Sequence, residues 1–219
     1  MNIRTSIGTK VRNLAALTLC VPVLAGCFGA AAVGVGTGAL MLTDRRNSET
    51  FLSDEGIEVR AASRISEKYG DKVHVNATSY NRMILLTGEV PNDAIKADVE
   101  KIASAVPNVK SIGNELAIAG PSSFGGRGND SYITSKVKAR FVDANKFAAN
   151  HVKVVTEAGV VFLIGLVTQT EANAAVEIAR TTGGVQKVVR VFEIISPEQA
   201  RALDNTPPPA PDAKASPKR

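Results

Sequence analysis

Few residues in this 219-residue chain could do bond-making chemistry: two cysteines, Cys20 and Cys27, two histidines, His74 and His151, and a scatter of acids. A hydrolytic site needs a nucleophile, a base and an oxyanion stabiliser. Each histidine opens an alternating segment, Val73-His74-Val75 and Asn150-His151-Val152. Alternation sets each one opposite its valine neighbours, on the face expected to meet solvent. A two-histidine metal site would require those segments to meet, and it is set aside. No carboxylate pair stands at a suggestive spacing. Gly125-Gly126-Arg127-Gly128 lacks the following Lys-Ser/Thr of a phosphate-binding loop and reads as a linker. The expectation is a non-enzymatic protein with no metal and no cofactor.

A different chemistry is offered by Tyr132, Lys136 and Arg140, spaced by four and therefore sharing one helical face. Residues 130–146 carry a net charge of +2, whereas the comparable segment 54–69 carries −1. Gly56, Arg60 and Arg64 occupy the matching positions there, without an aromatic ring. Tyrosine favours a lipid–water interface, and a cation near an anionic surface contributes about 1 kcal/mol. On the residues alone, a membrane-docking face and an ordinary solvated basic face both remain open.

The elements that position these residues follow from an internal repeat. Ile84-Leu85-Leu86-Thr87-Gly88-Glu89-Val90 overlays Val161-Phe162-Leu163-Ile164-Gly165-Leu166-Val167, and residues 109–118 overlay 185–194. Repetition at a fixed period dictates architecture. Each copy opens with a helix whose apolar residues recur every four positions: Ile57, Ala61 and Ile65, then Ile133, Val137 and Phe141. Ser53-Asp54 and Asn129-Asp130-Ser131 are its expected caps. A hairpin, a second helix (residues 92–105 and 170–181) and a closing strand (109–118 and 185–195) follow. Gly88 and Gly165 sit inside apolar strands, where glycine marks close backbone approach. The reading is an α+β fold, each copy an αββαβ unit with a three-stranded mixed sheet and two helices on one face. The crossover is expected to be right-handed. The net charge of +5 falls to +2 without Arg4, Lys10 and Arg12. With no basic stripe interleaved with aromatics, nucleic acid is excluded as a partner.

Residues 1–12 are cationic and Leu14 to Leu24 is an apolar run of signal-peptide length. Leu24-Ala25-Gly26-Cys27 resembles the lipobox of bacterial lipoproteins. That resemblance implies removal of residues 1–26 and acylation of Cys27, palmitate included, leaving no thiol for disulfide or metal chemistry. A membrane span over residues 14–42 is the rival, but five glycines and Pro22 make it a poor helix. Phe28 stands where an aspartate would signal inner-membrane retention. By the same resemblance the protein is expected at the outer membrane, facing the periplasm.

The helix–hairpin–helix–strand repeat resembles the BON domain, a periplasmic and outer-membrane module, and two copies behind a lipobox resemble the dual-BON lipoproteins. Thr43-Asp44-Arg45-Arg46, Asn129-Asp130-Ser131-Tyr132-Ile133-Thr134 and residues 159–167 carry the likeness, with Tyr132 where tryptophan is expected. The implied organisation is a signal over 1–26, lipidated Cys27 and a flexible tether over 27–49, and BON domain 1 over 50–119. A Gly-rich linker over 120–129, BON domain 2 over 130–196 and a disordered Pro/Ala-rich tail over 197–219 complete it. The resemblance further implies binding of anionic phospholipid, phosphatidylglycerol in particular, by the first helix of domain 2. Its expected residues are Tyr132, Ser135, Lys136, Ala139, Arg140 and Asp143, with Gly88 and Gly165 structural. The implied role is outer-membrane integrity near division sites, by a monomer. The alternative is a scaffold for outer-membrane assembly, division or cell-wall proteins.

Overall fold

The computed structural model describes residues 44–205. The signal, Cys27, the tether up to residue 43 and the tail beyond 205 lie outside the described residues. The first copy opens with α1 (Ser48–Tyr69), whose Ile57, Ala61 and Ile65 are buried in a single stripe. A 3-10 turn (Gly70–Lys72) leads into β1 (His74–Tyr80) and β2 (Met83–Val90). Then come α2 (Asp93–Ser104), β3 (Ser111–Asn114) and β4 (Ala117–Ile118). The second copy repeats the order with α3 (Phe124–Ala144), β5 (Lys153–Glu157), β6 (Val160–Val167), α4 (Gln169–Arg180) and β7 (Lys187–Ile194). A short α5 (Pro197–Asp204) follows.

In each copy the hairpin is antiparallel and the closing strand returns parallel to the middle one, so a helix must bridge the crossover. β7 pairs with β6 without a break from Val160↔Lys187 to Val167↔Ile194. The first copy departs from this. Its closing segment is interrupted at Glu115 and Leu116, giving β3 and β4, both paired to β2. The Asn114 side chain leaves the ladder to donate to Glu100 and to the Lys96 carbonyl, and Leu116 turns into the core at 2% exposure.

Both faces of each sheet carry buried apolar residues. Ile84, Leu86 and Val90 of β2 pack under α1 and α2, and Val161, Leu163 and Val167 of β6 under α3 and α4. The alternate residues form a third cluster: Tyr80 and Leu85 of the first copy meet Phe162, Ile164 and Leu166 of the second. The helix-free faces of the two sheets therefore close against each other. Polar bonds ring this seam, from Lys153 to Glu58 (2.6 Å), Asn81 to Glu193 (2.8 Å) and Asn76 to Glu157 (2.8 Å).

Several expected boundaries move. Residues 44–49 are not a loose tether: α1 is capped by Asn47, and Arg45 is 4% exposed. The Gly-rich stretch is partly helical, because Ser123 caps α3 and the helix runs through Gly125, Gly126 and Gly128. The start of the expected tail is α5, fixed by Pro197 and a capping box between Ser196 and Gln199. Asp54 and Asp130, expected at helix caps, lie inside the helices and cap the hairpins instead. Asp54 accepts from the backbone N–H groups of Asn81 and Arg82, and Asp130 from those of Ala158 and Gly159.

Candidate functional site

The candidate helix α3 owes its orientation to Ile133, Val137 and Phe141, which are at most 1% exposed. Burying that stripe turns the opposite face outward. Tyr132 is 63% exposed, Ser135, Ala139 and Asp143 are exposed, and Val142, 65% exposed, continues the ridge. Phe124, at the start of the same helix, is 89% exposed with the Arg127 guanidinium 5.4 Å from its ring centre. Neither Phe124 nor Val142 figured among the expected site residues. The first lies in what reads as linker, and the second is an ordinary helix residue by sequence.

Lys136 and Arg140 are only half-exposed and already have partners. The Lys136 ammonium lies 5.1 Å from the Tyr132 ring centre and donates to the Gly183 carbonyl. Arg140 Nη1 donates to the Ile178 carbonyl and to Thr182 Oγ1, both at 2.8 Å. Its charge thus sits on the C-terminal carbonyls of α4, the end of a helix that favours a cation. Tyr132, Ser135 and Ala139 are brought together on one open face, while Arg140 is turned toward α4. Lys138 and Lys146 supply exposed positive charge beside the ridge.

The two expected structural glycines face backbone. A Cβ at Gly88 would lie 2.1 Å from the His74 carbonyl oxygen, and Gly88 has φ +112°. A Cβ at Gly165 would lie 2.2 Å from the His151 carbonyl oxygen.

The histidines do not face solvent. Val73 and Val75 do pack into the helix-side core, but the opposite face of β1 turns toward the second domain, where Asn76, still exposed, bonds Glu157. The His74 side chain is 16% exposed and that of His151 8%. His74 Nδ1 lies 2.9 Å from Glu89 Oε2 and 3.5 Å from Glu157 Oε1. Hydrogen-bond partners fix both acids: the Ser122 N–H on Glu89 (3.1 Å) and the Asn76 amide on Glu157 (2.8 Å). Burial pushes the Glu157 carboxyl above its ordinary range; the Asn76 bond and His74 oppose this, and the Glu89 charge adds to it. These acids are far apart in sequence, so no spacing could have flagged them.

An arginine pair straddles the seam. Arg46 bonds Asp44 and Asp54 and stacks 4.1 Å from the Tyr80 ring centre, all on the first-domain side. Arg45 reaches the other way, to the Leu166 carbonyl (2.9 Å), Glu171 (2.8 Å) and Asp204 (2.8 Å). Burial pushes the Glu171 carboxyl up, but bonds from Arg45 and Thr168 outweigh it and hold it below the ordinary value.

The family model for the BON domain matches residues 53–120 and 129–196. The chain is 36% identical over 189 residues to the outer membrane lipoprotein DolP of Haemophilus influenzae, covering 85% of this chain and 98% of that one. It is 32% identical over 154 residues to a 21 kDa hemolysin of Actinobacillus pleuropneumoniae, covering 69% and 79% of the two chains. Among solved structures, CdsD of the Chlamydia trachomatis type III secretion system aligns with 14% identity and a TM-score of 0.28. That alignment covers 72% of this chain and 99% of that one, a likeness too slight to carry an argument.

Proposed function

Because the chain belongs to the BON-domain family, with two copies of the domain, we propose that it is a non-enzymatic outer-membrane lipoprotein whose second domain rests on anionic phospholipid. In this reading Cys27 carries the lipid and the domains face the periplasm. The relative in Haemophilus influenzae, named as an outer membrane lipoprotein, supports that placement. Among the described residues, no helix is long and apolar enough to cross a membrane.

The observation that carries the lipid reading is the open ridge of α3. Phe124, Tyr132 and Val142 leave large apolar groups in solvent on a helix bordered by Lys136, Lys138 and Lys146. Rings and aliphatic groups of this kind enter the headgroup boundary while lysines meet the lipid phosphates. Lys138 and Lys146, the exposed pair, contribute about 2 kcal/mol, weaker than a millimolar contact by itself. Acylation of Cys27 would make it effective by holding the helix near the surface. Phosphatidylglycerol is the lipid proposed, and envelope integrity near division sites the cellular role.

The test uses residues 44–219 with vesicles of phosphatidylglycerol or of phosphatidylcholine. Binding is expected only to the anionic vesicles, weakened at least tenfold by Phe124→Ser with Tyr132→Ser and weakened by salt. Equal binding to both lipids, or unchanged binding by the double variant, would overturn it.

One observation favours a second reading. Leu52 and Val59, 63% and 68% exposed, lie two turns apart on α1, where the surrounding charge is net negative. Exposed apolar residues on an acidic helix suit a protein partner better than an anionic membrane, as a scaffold would require.

A further inference from the structure

We propose that His74, Glu89 and Glu157 form a site for a divalent transition metal, zinc being the best fit, that bridges the two domains. His74 Nδ1 and one oxygen of each carboxylate all lie within 4.8 Å of one another, the closest pair at 2.9 Å. Ligands around a tetrahedral zinc, at bond lengths of 2.0–2.2 Å, stand roughly 3.4 Å apart. The observed separations straddle that value, so small side-chain rotations suffice. One imidazole with two carboxylates is a three-ligand set that leaves a fourth position for water.

Charge supports the assignment. Glu89 and Glu157 are buried, with side chains 7% and 9% exposed. Among the described residues no lysine or arginine forms an ion pair with either. Asp54 holds Arg46 and Glu171 holds Arg45, while Asp130, without an ion pair among the described residues, spends its carboxylate on two backbone N–H groups. Even a protonated His74 would leave one carboxylate uncompensated, a costly arrangement in a sheltered place. A dication removes that cost.

The surroundings hold the donors in place. The Asn76 amide bonds the second oxygen of Glu157, and Ser122 places its N–H on Glu89 and its hydroxyl 3.3 Å from His74 Nδ1. Such outer partners orient metal ligands. A separate observation concerns Thr87, opposite Asn76 in the β1–β2 register and next to Glu89 on the same face of β2. Its Oγ1 is buried with no hydrogen-bond partner, which leaves a polar atom for metal-bound water to satisfy.

The fold does not itself require these acids. Leu166 stands in the second copy where Glu89 stands in the first, and Tyr80 in the first where Glu157 stands in the second. The carboxylates are therefore additions to the repeat, one from each domain, converging on one histidine.

The test uses the full chain in a non-ionic detergent, stripped with EDTA and titrated with zinc sulfate by calorimetry. One zinc per chain is expected, with a rise in the thermal midpoint on binding. His74→Ala, Glu89→Gln and Glu157→Gln should each weaken binding by more than about 100-fold, and Asn76→Ala by about tenfold. His151→Ala should leave it unchanged. Circular dichroism confirms that each variant is folded, and the two isosteric glutamine variants serve if His74→Ala is not. Absence of zinc binding, or binding undiminished in a folded glutamine variant, would overturn the proposal.

Discussion

Two carbonyl oxygens decide what positions 88 and 165 can hold. At Gly88 any side chain would meet the His74 oxygen and also adopt φ +112°, so overpacking and backbone strain add. Gly88→Ala should cost about 3 kcal/mol, a fall of roughly 10 °C in the thermal midpoint of a chain this size. Gly165→Ala, with the close oxygen but no positive φ, should cost about 2 kcal/mol. Thermal unfolding of both variants checks the order as well as the size. Sequence marked these glycines because the repeat set them in register within apolar runs. It marked Asp54 and Asp130 by the same register yet hid their work. The N–H groups they hold belong to hairpins 25 or more residues further along, beyond the reach of any local capping pattern.

The helices separate binding from support more sharply than residue types do. Arg140 and Tyr132 share a helical face by spacing, but Arg140 bends to the last carbonyls of α4 while Tyr132 stays in solvent. Arg140→Ala should therefore lower stability by about 1–2 kcal/mol, read by urea denaturation. It should change anionic-vesicle binding far less than Tyr132→Ser does. The ridge was only half legible for the same reason. Its centre follows from the buried stripe of Ile133, Val137 and Phe141. Phe124 was hidden because three glycines, each unfavourable in a helix by about 1 kcal/mol, disguise the first turns of α3. Those turns depend on the Ser123 cap and on Arg127, which bonds back to Ser122 and lies by the Phe124 ring.

At the scale of the whole molecule, the two copies act as one because each gives its second sheet face to the other. The apolar run of β6, interrupted only by Gly165, and the Ile84-Leu85-Leu86 stretch of β2 carried that information: a strand apolar at successive positions is covered on both sides. Which partner covers it is not written in any local pattern. Arg45 adds an electrostatic tie to this arrangement. Glu171 is held below its ordinary value, so its bond with Arg45 contributes stability that is present above the ordinary glutamate range and lost as the pH falls through the depressed value. Glu171→Gln keeps the cap on α4 but should cost about 2 kcal/mol at neutral pH. Its thermal midpoint should also fall less steeply on acidification than that of the parent chain.

The same arginine pair has a mechanical meaning. Tension applied to the chain ahead of Asp44 reaches Arg45 and Arg46 before it reaches any of the described helices or strands. Arg46 passes its share to Asp54 and the first hairpin, and Arg45 passes its share to β6, α4 and α5. A pull on the N-terminal side is thus divided across both domains at their junction, so neither is peeled from its own end.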